Sequence, residues 1–147
     1  YNDLRKKHKL PEFKEIDFEF EISDLEETNF LMRSIIRRIA EKLDFYATVL
    51  EEILQPDASN LYAMHETRHF DEPEKEKMYA LYMKLMNHSR QSIVIGLERN
   101  EQDEAGFISI FFNDWKELKK EMLFYARKMK SSWETSEDVK EDLRYLG

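Results

Sequence analysis

The sequence predicts an all-α fold, a bundle of three long helices and one short helix behind an extended N-terminal arm, and three observations lead there. Ile108, Phe111, Trp115, Leu118, Met122, Tyr125 and Met129 recur in alternating steps of three and four, which places all seven side chains on one side of a single helix. Two further helical stripes precede it, one carrying Met32, Ile36, Ile39, Leu43, Tyr46, Leu50 and Ile53 in the same alternating steps, the other carrying Met78, Leu81, Tyr82, Leu85, Met86, Ser89 and Ile93 at i, i+3, i+4, i+7 and i+8 and beyond. Finally, the 147 residues suit one domain, whose folding removes roughly two-thirds of the unfolded surface from water.

Residues 1–22 form the predicted arm and residues 23–147 the helical domain. The arm opens with Arg5, Lys6, Lys7 and Lys9 ahead of Pro11, a basic and flexible start. Ile16, Phe18, Phe20 and Ile22 then alternate with Asp17, Glu19 and Glu21, so an extended backbone sets the four apolar side chains on one face. Ser23 followed by Glu26 has the form of a capping box and predicts that the first long helix begins at residue 24. That helix runs to about residue 54, where Gln55, Pro56 and Asp57 stop it.

A short surface helix is expected over residues 58–69. Asp71, Glu72, Pro73 and Glu74 read as a stop and a fresh capped start, because proline is tolerated in a first turn. The second long helix reaches about residue 98, a polar connection covers residues 99–104, and the third long helix occupies roughly 103–133, with a last turn after Ser136. An alternative α+β reading makes a hairpin of residues 92–112, since both ends are rich in β-formers. It would leave Phe107, Ile108, Phe111 and Phe112 apolar on both faces of a strand, whereas a helix collects most of them on one side.

The formal charge of −8 disfavours a protein devoted to nucleic acid, because phosphate binding rests on clustered positive charge. There is no cysteine, which removes disulfides, thiolate nucleophiles and cysteine zinc sites. No apolar run approaches the roughly 20 residues that span a bilayer, and no signal-peptide core follows the first residues. Together these predict a cytoplasmic protein with no membrane partner.

One chemical motif stands out. His65, Glu66 and His69 have the HExxH spacing in which two imidazoles one turn apart ligate zinc and the glutamate takes a proton from bound water. A third ligand is not evident, Arg68 adds a cation, and Asp71 to Pro73 end the helix at once. The same residues contain one Glu-x-x-His half of a di-iron site without its second half. Hydrolysis by zinc, with Glu66 catalytic and His65 and His69 as ligands, is therefore the alternative reading. His88 lies beside an apolar seam and reads as a rim histidine held by a carboxylate or hydroxyl.

The first reading is a non-enzymatic helical interaction module or homo-oligomeric scaffold with no cofactor, whose partner is another protein or a second copy of the chain. Its expected contact residues are Ile16, Phe18, Phe20 and Ile22 of the arm and Phe124, an aromatic among Lys120, Glu121, Arg127 and Lys128. Phe45 is a weaker candidate. A third reading is a weak nucleic-acid or ribosome binder that uses the basic arm with Lys116, Lys120, Arg127 and Lys130, or Arg33, Arg37 and Arg38, although on an acidic chain a solvated face with i,i+4 pairs to glutamates accounts for such faces better.

Overall fold

The computed structural model describes residues 1–26 and 29–134. Among the described residues six α-helices follow one another: α1 (Asn2–His8), α2 (Phe13–Phe20), α3 (Leu31–Leu54), α4 (Leu61–Thr67), α5 (Glu72–Glu98) and α6 (Glu101–Ser132), with a short 3-10 turn at Ile22–Asp24. The chain is all-α, and both segments of the alternative hairpin lie inside α5 and α6. The turn expected after Ser136 lies outside the described residues.

Helices α3, α5 and α6 form the bundle. Asp44 meets Ser89 and Glu51 meets Tyr82 across α3 and α5, while Glu74 meets Lys128 and Lys84 meets Glu121 across α5 and α6. Both pairs are therefore antiparallel. Tyr46 stacks on Trp115 and Arg33 pairs with Glu104, so α3 and α6 run parallel. At 1.5 Å per residue the three helices are about 36, 40 and 48 Å long.

All seven residues of the α6 stripe are buried, as are Met32, Ile36, Ile39, Leu43, Leu50 and Ile53 of α3, with Tyr46 half-buried. The α5 stripe divides. Met78, Leu81, Leu85 and Ser89 are buried, Tyr82 and Met86 are half-buried, and Ile93 is exposed. Those seven residues thus belong to two faces of α5.

Helix ends follow local chemistry. Asp71 caps α5 in a full capping box, its carboxylate accepting from the Glu74 amide while Glu74 reaches back to the Asp71 amide. Arg99 closes α5 in the left-handed region with φ 55°, and Asn100 at once caps α6, accepting from the amides of Gln102 and Asp103. The connection expected over residues 99–104 is thus two residues long. Between α3 and α4, Asp57 accepts from the amide and hydroxyl of Ser59, and the buried Thr67 hydroxyl donates to the Ile53 carbonyl at 2.7 Å, satisfying an end group of α3.

The extended arm is corrected by the structure. Residues 13–20 are helical, and the buried pair Ile16 and Phe20 lies one turn apart on the face that docks against the bundle, with Ile22 buried just beyond. Phe18, on the opposite side, is exposed. The basic start is also helical, with Lys7 and His8 at 3.3 and 2.9 Å from the Glu101 carboxylate at the N-terminus of α6. Leu10, Ile16, Phe20 and Ile22 belong to the same hydrophobic cluster as the three long helices. Ser23 lies inside the 3-10 turn, its amide donating to Asp17 Oδ1 at 2.6 Å, and α3 starts only at Leu31, after Phe30.

Gly106 lies within α6, and a β-carbon built there meets no atom within 4 Å. Glycine in a helix interior costs about 0.5–1 kcal/mol relative to alanine, through the backbone entropy it loses on folding. Gly106→Ala is therefore expected to raise stability by about that amount in urea denaturation; a lower midpoint would show that the helix is not regular at this position.

Candidate partner-binding site

The exposed side of α2 faces a shelf on α6. Docking is fixed from below by Phe20, whose ring lies 5.5 Å from that of Phe111 and 5.4 Å from that of Trp115. Glu19 fixes it at the rim, its Oε2 accepting from Trp115 Nε1 and its Oε1 from Lys119 Nζ, both at 2.8 Å. Burial pushes the Glu19 carboxyl up, but the two hydrogen bonds and the charges of Lys119 and Lys42 outweigh that penalty and hold it below the ordinary glutamate value. Lys42 of α3 donates to the Glu19 carbonyl and lies 5.2 Å over the Phe20 ring, which ties α2 to a third element.

With α2 held in this way, Phe18 projects outward, 79% exposed. It separates two clefts. One of about 260 Å³ runs under Tyr46, Trp115, Met122 and Leu123; the other, of about 580 Å³, is floored by Phe112 and Trp115 and edged by Lys14, Lys116 and Lys119. Lys119 Nζ sits 5.4 Å over the Phe18 ring, a cation–π contact that steadies the side chain without covering it. Among the described residues Lys14 and Lys116 make no ion pair. Lys14, Lys42, Lys116 and Lys119 stand against Glu15 and Glu19 around the two clefts, a locally positive rim on a chain of net charge −8.

Of the apolar contact residues singled out in the sequence, Ile16, Phe20 and Ile22 are core, while Phe18, Phe45 and Phe124 are open. Phe124, 59% exposed, lies on α6 at a different groove, between α5 and α6 with Lys77, Lys84 and Lys120, and meets Tyr125 edge-on at 5.4 Å. Phe45 is exposed and edge-on to Tyr46. The cleft residues Phe112, Trp115 and Lys119 come from a helix about 100 residues further along the chain than α2. No spacing in the sequence announces that juxtaposition.

His65 and Glu66 of the HExxH motif lie far from this shelf and tie α4 to the end of α6. Helix α4 is not a surface helix: Ala63, His65 and Thr67 are buried, and His69 falls beyond its last turn. His65 Nε2 lies 2.8 Å from the Ser132 carbonyl at the end of α6, and its Nδ1 lies 3.3 Å from Arg68 Nη2. The geometry assigns the ring proton to Nε2, which donates to the carbonyl, while Nδ1 accepts from Arg68. The ring stacks on Trp133 at 4.0 Å between centroids, and Trp133 Nε1 donates to Glu66 Oε2 at 3.1 Å. Thus the lone pair a zinc ion would take and the carboxylate a catalytic base would need are both engaged by protein groups. Among the described residues no three or more His, Cys, Asp or Glu side chains form a group able to hold a metal ion.

His88 Nε2 lies 3.3 Å from Asp114 and the ring is edge-on to Phe111 at 5.3 Å. Several cations of the third reading are tied down: Arg33 to the buried Glu104 at 2.9 Å, Arg38 to Asp24 at 3.2 Å, and Lys130 to Glu134 at 3.0 Å, an i,i+4 pair. Among the described residues no helix is long and apolar enough to cross a membrane. Comparison with protein-family models, with curated proteins and with solved structures finds nothing that matches this chain.

Proposed function

We propose that this chain is a non-catalytic interaction module that receives, on the Phe18 shelf, a segment of another protein combining an apolar anchor with acidic flanks. The observation that supports this most is Phe18 itself, a large aromatic held in the open between two clefts on a helix whose other face is locked by Phe20, Glu19 and Lys42. A lone exposed aromatic is ordinary. One that divides two clefts under a lysine rim has the form of an anchor pocket, with apolar area for affinity and charge for orientation. The clefts take the apolar side chain of the partner, and Lys14 and Lys116 meet its carboxylates.

A fluorescent peptide set tests the reading, each peptide carrying one Leu, Phe or Trp between acidic residues, with basic-flanked versions as controls. The acidic set is expected to bind at micromolar to millimolar strength, more weakly as salt is added, and to lose most binding to Phe18→Ala and to Lys14→Glu with Lys116→Glu. Equal binding of the basic set, or an unchanged affinity in Phe18→Ala, would remove the shelf as the site.

A further inference from the structure

Helix α5 carries a second apolar face that is largely open, with Met86 alone of its apolar residues half-buried against the core. Tyr79, Met83, Met86, Arg90, Ile93 and Leu97 follow one another at intervals of 4, 3, 4, 3 and 4, the spacing of a coiled-coil seam, on the side turned away from the buried Met78, Leu81, Leu85 and Ile95. Tyr79, Met83, Ile93 and Leu97 are each more than half exposed. Lys84 and Arg90 are the sole Asp, Glu, Lys or Arg residues between Tyr79 and Leu97, in a chain in which 37% of residues are charged. A solvated helix face is ordinarily where those charges collect, so α5 is built as a helix that is covered on both sides.

We infer that α5 pairs with α5 of a second copy, antiparallel, about a twofold axis near residue 88. The intervals read the same in both directions. Reversal therefore lays Tyr79 on Leu97, Met83 on Ile93 and Met86 on Arg90 of the other copy, which is the self-complementarity a twofold interface requires. Charge selects both the occupant and the direction. A second copy brings its own net charge of −8, so its contact face must be free of carboxylates, and the segment between Tyr79 and Leu97 contains no Asp or Glu. A parallel pair would set Arg90 against Arg90, whereas the antiparallel pair sets the Arg90 stem on a methionine and lets the guanidinium reach water. The seam is about 27 Å long, and two such half-exposed faces bring on the order of 1,000 Å² out of water, which is the least area expected of a specific association. The dimer is accordingly weak and concentration-dependent. It does not use the Phe18 shelf and stands whether or not that site is used.

Sedimentation equilibrium of the full chain over a wide range of concentration is the first measurement, and a reversible dimer is expected. Met83→Glu with Ile93→Glu, both at exposed positions, should weaken it by at least about a hundredfold, because carboxylates would be desolvated in the seam, while the melting temperature of the dilute protein stays the same. The second measurement keeps the inference testable if that variant folds poorly. The chain has no cysteine, so Met83→Cys and Ile93→Cys proteins can be mixed and oxidised. The mixed 83–93 disulfide should form in preference to 83–83 or 93–93, whose partners stand about 15 Å apart along the antiparallel pair. A wild-type chain that stays monomeric at high concentration, a dimer indifferent to the double glutamate variant, or dominant 83–83 crosslinks would each overturn the inference.

Discussion

Phe20→Ala is expected to lower the free energy of unfolding by about 3–5 kcal/mol, while Phe18→Ala, two residues earlier, stays within about 0.5 kcal/mol of the parent. Phe20 is 2% exposed and its ring fills the space between Phe111 and Trp115, so truncation leaves a cavity under α2 and frees the helix that Glu19 and Lys42 otherwise hold. Phe18 has clefts on both sides and one cation over its ring, and its removal takes little from the folded state. Urea denaturation of the two single variants measures the contrast. Tryptophan emission in a Trp133→Phe background then reports on Trp115, which should become more solvated in Phe20→Ala alone. Equal losses in the two variants would mean that α2 does not dock through Ile16 and Phe20.

That contrast also locates what the sequence hid. Ile16, Phe18, Phe20 and Ile22 fit a period of two, while Phe13, Ile16 and Phe20 fit a helical period over the same short stretch, and a segment this brief cannot decide between them on pattern alone. The backbone decides. A lone strand would present unpaired amides and carbonyls, whereas α2 closes its own hydrogen bonds and ends with Glu21 in the left-handed region at φ 53°. The three long stripes were legible because a bundle demands one buried face along many turns. The stop at Pro56 and the capped start at Asp71 were legible because cap chemistry is local, but the same kind of local signal at Ser23 and Glu26 marked a start that α3 does not use.

The shelf was only partly visible. Phe18 was among the expected contact residues and is exposed, but its cleft depends on Glu19 meeting Trp115 and Lys119 across roughly a hundred residues, a register set by packing. The second face of α5 did leave a signal, the near absence of charge from Tyr79 to Leu97. Tyr82, Met86 and Ile93 obscure it, since they also fit the stripe of Met78, Leu81 and Leu85, and on a helix that is apolar on two sides the spacing alone does not separate one face from the other.

His65→Ala is expected to cost about 2–4 kcal/mol, and the loss should be indifferent to metal. Two effects combine. Removing a buried ring stacked on Trp133 opens a cavity between α4 and the end of α6, and the Ser132 carbonyl, in a residue only 4% exposed, loses the Nε2 donor, a penalty of about 1–3 kcal/mol for an acceptor left buried without its partner. His65→Gln should recover part of the loss, because its side-chain amide can again donate toward that carbonyl, whereas a lost zinc ligand would not be replaced by glutamine. Thermal melts with and without chelator check the assignment. The wild-type curve should not move when chelator or zinc is added, and the alanine variant should melt lower by the same margin in both. Zinc that co-purifies near one equivalent, disappears in His65→Ala and takes a chelator-sensitive share of stability with it would make His65 and His69 metal ligands and overturn the purely structural reading of His65.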